Sequence, residues 1–315
     1  MPTVKAVVCA LGSLLLGAAA GPAAAQISVV VDDPAASYSA YYADLQRLTV
    51  AAGSAWISHF APASFGADIT VQISFAAIAT STGRSFSSAY VGTGAAGQSL
   101  YEQGAAHEWR TGVDANGSAP DVQITLGGVG YVQSELWFDP DPLRLAGSVP
   151  ADRTDAFSVL LHEWGHAFAF NGWLNGSTGQ APGNYASTFD AYVTPQLGAA
   201  GMTLFFAGPQ ATSVYGAAVP LTFSNYGHLG NSGGLEGEAG RAGLDLIPDL
   251  MNGEVFYRGT RYDLSALDLA IAADAGLPMI LAGSVPEPAP AALMLAGLAA
   301  LAWRSRRGVV KAQPR

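Results

Sequence analysis

Two of the chain's five histidines stand four residues apart, in His162-Glu163-Trp164-Gly165-His166. Positions i and i+4 of a helix lie one above the other, so both imidazoles project from one face. At about 2.0–2.1 Å per bond, such a pair reaches a single tetrahedral zinc ion. Glu163, beside the first ligand, is then placed to take a proton from zinc-bound water, whose pKa the metal lowers towards 7. Around the motif, Ala156, Phe157, Val159, Leu160, Leu161 and Ala167 predict a mostly buried helix. Two histidines and a glutamate are costly to bury without partners, and a metal satisfies all three. A near copy, His107-Glu108-Trp109-Arg110-Thr111, lacks the second histidine and reads as surface or core.

A hydrolytic zinc site takes a third protein ligand and keeps a fourth position open. No glutamate occurs between Glu163 and Glu236, which removes a glutamate-type ligand about twenty residues downstream. Six residues after His166, where a compact third histidine would stand, is Gly172. His228 is the one histidine further along, and Asp190, in Ser187-Thr188-Phe189-Asp190, is the rival carboxylate ligand.

Beyond His228 lie Asp249-Leu250-Met251-Asn252-Gly253 and the run from Arg258 to Leu269. Together with the helix motif, this order resembles the metzincin zinc proteases, the leishmanolysin-like group in particular. In that group a long insertion separates the third histidine from the helix motif, and a methionine turn and closing helix follow. The resemblance spans most of residues 150–278 and is only general before them. It implies His162, His166 and His228 as ligands, Glu163 as general base and Met251 as the apolar floor beneath the zinc. Two departures stand out: Ala169 replaces the family's bending glycine, and a glycine-rich stretch separates His228 from Met251.

Other residues carry weaker signals. Tyr226 or Tyr257 is placed to steady an oxyanion, or simply packs. Glu236, Glu238, Asp245 and Asp249 are oxygen donors of the kind calcium prefers, or solvated loop carboxylates. Trp164 and Trp173 read as packing residues or part of a cleft wall.

The elements that must hold this chemistry follow from periodicity. Tyr38–Phe60 carries Tyr42, Leu45, Leu48, Ala52 and Trp56 at helical spacing. Residues 69–75 and 121–126 alternate as half-buried strands, and Tyr131–Phe138 reads as a third. That third strand is the expected edge along which an extended substrate would pair. The motif helix is predicted over Arg153–Phe170, stopped by Asn171-Gly172. Loops follow at 176–183 and 231–243, and a closing helix at 264–275. This order predicts an α+β domain: a mixed sheet and active-site helix first, then a loop-rich half with the methionine turn and closing helix.

Both ends read as targeting segments. Residues 1–25 combine Lys5, a short apolar run and an Ala-rich end, which predicts a secretory signal peptide cut after Ala25. The one cysteine, Cys9, falls inside it, so the mature chain has no thiol for a disulfide, a nucleophile or a cysteine switch. Residues 285–307 place Val285-Pro286-Glu287-Pro288 before an apolar stretch and Arg304-Ser305-Arg306-Arg307. They resemble PEP-CTERM sorting tails, which implies an exosortase-type partner, transient inner-membrane association and delivery to the envelope or exterior of a Gram-negative bacterium. Residues 308–315 are a short further tail. Between these ends, residues 26–284 hold eight arginines and no lysine against sixteen aspartates and seven glutamates, a balance of −15. A nucleic-acid face is excluded on that charge.

The expectation is therefore an exported zinc endopeptidase acting on a polypeptide, built on residues 26–284. The alternative from another class is a non-catalytic surface or matrix protein with a structural or vestigial zinc.

Overall fold

The computed structural model describes residues 26–61, 67–141, 147–198, 201–222, 225–230, 246–253 and 256–280. The chain divides into two units, Met1–Pro278 and Met279–Arg315, and every element below belongs to the first. The expected signal peptide and sorting tail, the stretch at 231–243, and Glu236, Glu238 and Asp245 lie outside the described residues.

In chain order the elements are β1 (Gln26–Asp32), α1 (Tyr42–Ile57), β2 (Asp68–Ala76), β3 (Ser81–Ser85), β4 (Ser88–Thr93), β5 (Ser99–Gln103), α2 (Gly104–Thr111) and β6 (Val122–Gly127). They continue with β7 (Leu136–Trp137), β8 (Thr154–Asp155), α3 (Ala156–Phe168), β9 (Tyr185–Ser187), β10 (Val193–Gly198), β11 (Gly201–Phe206), α4 (Pro209–Tyr215), β12 (Val219–Pro220) and α5 (Ala266–Asp274). The fold is α+β, with the helices packed beside several small sheets.

The central sheet has the order β1-β2-β6-β3. β1, β2 and β6 run parallel, and β3 is antiparallel at one edge. Alternation sets which face is inside: Ile69, Val71 and Ile73 of β2 and Val122, Ile124 and Leu126 of β6 are fully buried. Each contributes about 1.5–3 kcal/mol of apolar burial. Leu45, Leu48, Ala52 and Trp56 make up the buried stripe of α1. Two indoles tie α1 to α3 reciprocally. Trp56 Nε1 donates to the Leu161 carbonyl at 2.8 Å, and Trp164 Nε1 donates to the Thr49 carbonyl at 3.0 Å. Trp164 is thus a packing residue, and Trp173 packs against Tyr101 and Tyr185. On its other side α3 lies against β3 so closely that a Cβ at Gly83 would sit 2.3 Å from the Glu163 carbonyl oxygen.

The expected helix at Arg153–Phe170 is shorter at both ends. Thr154 and Asp155 pair as β8 with β7, and the Asp155 carboxylate caps α3 by accepting from the Ser158 N–H at 3.2 Å. At the other end, Ala169 leaves the helix at φ −145°, so no left-handed glycine is needed there. The expected strand at Tyr131–Phe138 is a correction. Residues 130–135 form a π-helical turn in which only Val132 is buried, and only Leu136–Trp137 is extended. The edges of the central sheet are β1 and β3 instead.

Arg261 locks the approach to α3. Its Nη2 donates to Asp139 at 2.7 Å and its Nε to Asp155 at 2.9 Å, and both carboxylates are 1 % exposed. Replacing Arg261 by Met strands two buried carboxylates, which predicts a loss of about 3–5 kcal/mol in unfolding free energy. Urea unfolding reads this directly. A loss under about 1 kcal/mol would assign the pair to the class of idle surface bridges.

Candidate metal centre

α3 presents His162 and His166 on one face, as the i, i+4 spacing requires, and the chain brings His228 to the same point. The three Nε2 atoms stand 3.1 Å (His162 to His166), 3.0 Å (His166 to His228) and 3.1 Å (His228 to His162) apart. In each ring the other nitrogen faces a backbone carbonyl. His162 Nδ1 donates to Leu250 at 2.8 Å, His166 Nδ1 to Phe170 at 2.7 Å and His228 Nδ1 to Asn225 at 3.2 Å. A carbonyl only accepts, so the proton of each neutral imidazole is held at Nδ1. All three Nε2 atoms are then bare acceptors pointing at one another, and none can bond to the others.

Charge points the same way. Burial, with the neighbouring imidazoles, holds His162 well below the usual histidine range. Burial lowers His166, and burial with His166 nearby takes His228 down to about 3. The rings are neutral with free lone pairs, the form that binds a metal. Ligand nitrogens on a tetrahedral zinc with bonds of about 2.05 Å lie roughly 3.3 Å apart. The observed triangle is within a few tenths of an ångström of that, and the donor set fits zinc.

His228 is fixed by a local clamp. Thr222 N–H donates to the His228 carbonyl at 2.9 Å, Leu229 N–H to the Met251 carbonyl at 2.8 Å, and Gly253 N–H to the Leu229 carbonyl at 2.9 Å. The segment carrying His228 is thereby sandwiched between residues 220–222 and the turn at 249–253. Met251 is fully buried, and a Cβ at Gly165 would lie 2.5 Å from its sulfur. The methionine therefore packs on the helix between the two motif histidines, while the preceding residue, Leu250, supplies the carbonyl that orients His162.

Asp190 takes no part in the triad. Its carboxylate accepts from Trp173 N–H at 2.8 Å, Ser187 N–H at 3.1 Å and the Tyr226 hydroxyl at 2.9 Å. Tyr226 in turn accepts from the Leu174 N–H, so its hydroxyl is spent on holding this loop. The Tyr226–Asp190 pair occupies the space beside Gly172, where a Cβ would lie 2.3 Å from the Tyr226 hydroxyl. Tyr257 is half exposed, and its N–H is bonded to the Tyr262 hydroxyl. His107 of the near copy pairs with Glu102 at 2.5 Å, and Arg110 binds the same carboxylate.

Glu163 is 3 % exposed. Its Oε1 accepts from the Ser81 hydroxyl at 2.5 Å, and its Oε2 is buried without a partner. Burial pushes its pKa up to about 7, opposed by the Ser81 hydroxyl and the Gly83 N–H. Both opposing groups come from β3. The site opens into a cleft of about 970 Å³ whose walls include Thr80, Ser81, Gly83, Tyr131, Phe256 and Arg258. Ser81, Gly83 and Tyr131 were not foreseen as site residues. Ser81-Thr82-Gly83 has no apolar alternation to mark a strand, and Tyr131 sits in the segment read as an edge.

Comparison with protein-family models, curated proteins and solved structures gave no match to this chain.

If His228 closes the triad, His228→Ala weakens zinc binding by more than about 100-fold, beyond what loss of an outer-sphere partner does. Asp190→Asn leaves it unchanged in the folded protein. Competition with a chromophoric chelator measures both, and the reverse ranking would make Asp190 the ligand.

Proposed function

We propose that this chain is a zinc-dependent endopeptidase of leishmanolysin-like metzincin type, with His162, His166 and His228 as ligands and Glu163 as general base. The observation that carries the reading is the convergence of three unprotonated Nε2 atoms beside a buried glutamate, at the floor of an open cleft. A bound zinc supplies the Lewis acidity that lowers the pKa of water towards 7 and polarises a scissile carbonyl. Glu163 accepts the proton of the attacking water and passes it to the leaving nitrogen, a role suited to a carboxylate whose pKa lies near 7. Ser81 holds one carboxylate oxygen and leaves Oε2 free for that transfer. Met251 supports α3 from beneath.

The substrate is a polypeptide in extended form. β3 has one sheet neighbour, β6, and Ala79–Gly83 line the cleft. Its open edge therefore offers backbone donors and acceptors to a strand laid across the site, the part first expected of Tyr131–Phe138. A structural zinc is usually closed by four protein ligands. Among the described residues three nitrogens converge, and the cleft gives the fourth position access to solvent. That favours catalysis over the non-catalytic surface-protein reading. The readings of residues 1–25 as a signal peptide and 285–307 as a sorting tail support delivery to the cell envelope or exterior, with an exosortase-type enzyme as the processing partner.

Glu163→Gln is isosteric and touches no ligand. It keeps stoichiometric zinc and lowers the rate of casein cleavage by about 10²-fold or more. Undiminished cleavage would remove Glu163 from the chemistry.

A further inference from the structure

A second group of acidic side chains lies apart from the histidines, where α2 and the loop after it meet the start of β6. Glu108, Asp114 and Asp121 each bring a carboxylate oxygen to within 4.8 Å of the others. That spacing is no wider than two opposite ligands on a calcium ion with bonds of about 2.4 Å. Acidic clusters are common on surfaces, but this one is largely buried: Glu108 is 7 % exposed and Asp121 is 4 % exposed. Glu108 Oε2 is buried and has no hydrogen-bond partner, and burial together with the Asp121 carboxylate lying against it holds the Glu108 carboxyl up to about 8. No histidine or arginine pairs with any of the three among the described residues, and Asp68 adds a further negative charge nearby.

The other contacts pre-arrange the group. Asp121 is held from two sides, its Oδ2 accepting from Thr70 N–H at 2.7 Å and its Oδ1 from Asn116 Nδ2 at 3.1 Å. Asp114 Oδ1 accepts from Asn116 N–H at 2.8 Å and Gly117 N–H at 2.7 Å, a turn that folds the loop back over the cluster. Gly117 adopts φ +63°, a conformation favouring glycine. The donors to Asp114 and Asp121 are neutral amides, so their negative charge is arranged but not compensated. The all-oxygen donor set suits a hard cation, and one carboxylate on an exposed loop suits calcium's tolerance of irregular geometry better than magnesium's octahedron.

We propose that Glu108, Asp114 and Asp121 form a calcium site that pins α2 and its following loop to the starts of β2 and β6 in the central sheet. Water fills the remaining coordination positions. The site shares no residue with the histidine triad, so calcium acts on stability and leaves the zinc stoichiometry alone.

Calcium chloride titrated into the full chain in calcium-free buffer, followed by calorimetry and thermal unfolding, tests this. Terbium luminescence excited through Trp109, next to Glu108 in sequence, is the second probe. The expected result is one calcium bound per chain, a rise in Tm, and terbium emission quenched by calcium. Asp114→Asn keeps the turn, because an asparagine oxygen accepts the same two amides, and it should weaken calcium about tenfold or more by removing one ligand charge. Glu108→Gln should do the same. No binding and no change of Tm at several millimolar calcium would overturn the proposal and leave Glu108 and Asp121 sharing a proton. Binding that neither substitution weakens would overturn it too, by placing the ion elsewhere.

Discussion

Three imidazole nitrogens with no hydrogen between them are held about 3 Å apart, and the surrounding structure is arranged to keep them there. Backbone carbonyls of Leu250, Phe170 and Asn225 fix the proton of each ring on the far side. In water three such lone pairs would each take a solvent proton donor. At this depth protonation is disfavoured by burial and by the neighbouring rings, so a cation is the group that turns mutual repulsion into binding. The carbonyls come from three separate pieces of chain. The metal site is in this sense a tertiary knot, and the turn at residues 249–253 belongs to it as much as α3 does.

The sheet contributes by proximity. β3 approaches α3 to the limit that glycine allows at Gly83, and from that contact Ser81 reaches the Glu163 carboxylate. One strand thus both orients the Glu163 carboxylate and forms a wall of the cleft. Behind α3 the two tryptophans, each bonded to a carbonyl of the opposing helix, prevent the helix from sliding relative to α1. Asp155, Asp139 and Arg261 fix where α3 begins. The position of the helix, the orientation of the Glu163 carboxylate and the convergence of the three histidines are consequences of one packed layer.

Much of this was legible in the residues because it is local. The i, i+4 histidines, the alternation of Ile69, Val71 and Ile73, and the amphipathic spacing of the closing helix are read within a few positions. Exclusion left His228 and Asp190, and the resemblance of the segment after His228 to the metzincin turn favoured the histidine. What was not legible depends on distant partners. Ser81–Ser85 carries no apolar alternation, and it is a strand because β6 pairs with it from some forty residues away. Tyr131–Phe138 has the composition of a strand, yet Gly130 begins a π-helical turn, and the hydrophobic residues there pack individually. Asp190 has ligand chemistry, but two backbone amides and a phenol claim its oxygens. The pairing of Glu108 with Asp121 spans a loop whose fold depends on Asn116, and spacing alone does not show that.

The central claim is that the three histidines hold zinc, and the most direct measurement is the zinc content of the purified full chain by elemental analysis. One tightly held zinc per molecule is expected, retained through dialysis and removed by a strong chelator. Folded protein that takes up no zinc when the metal is offered would contradict it.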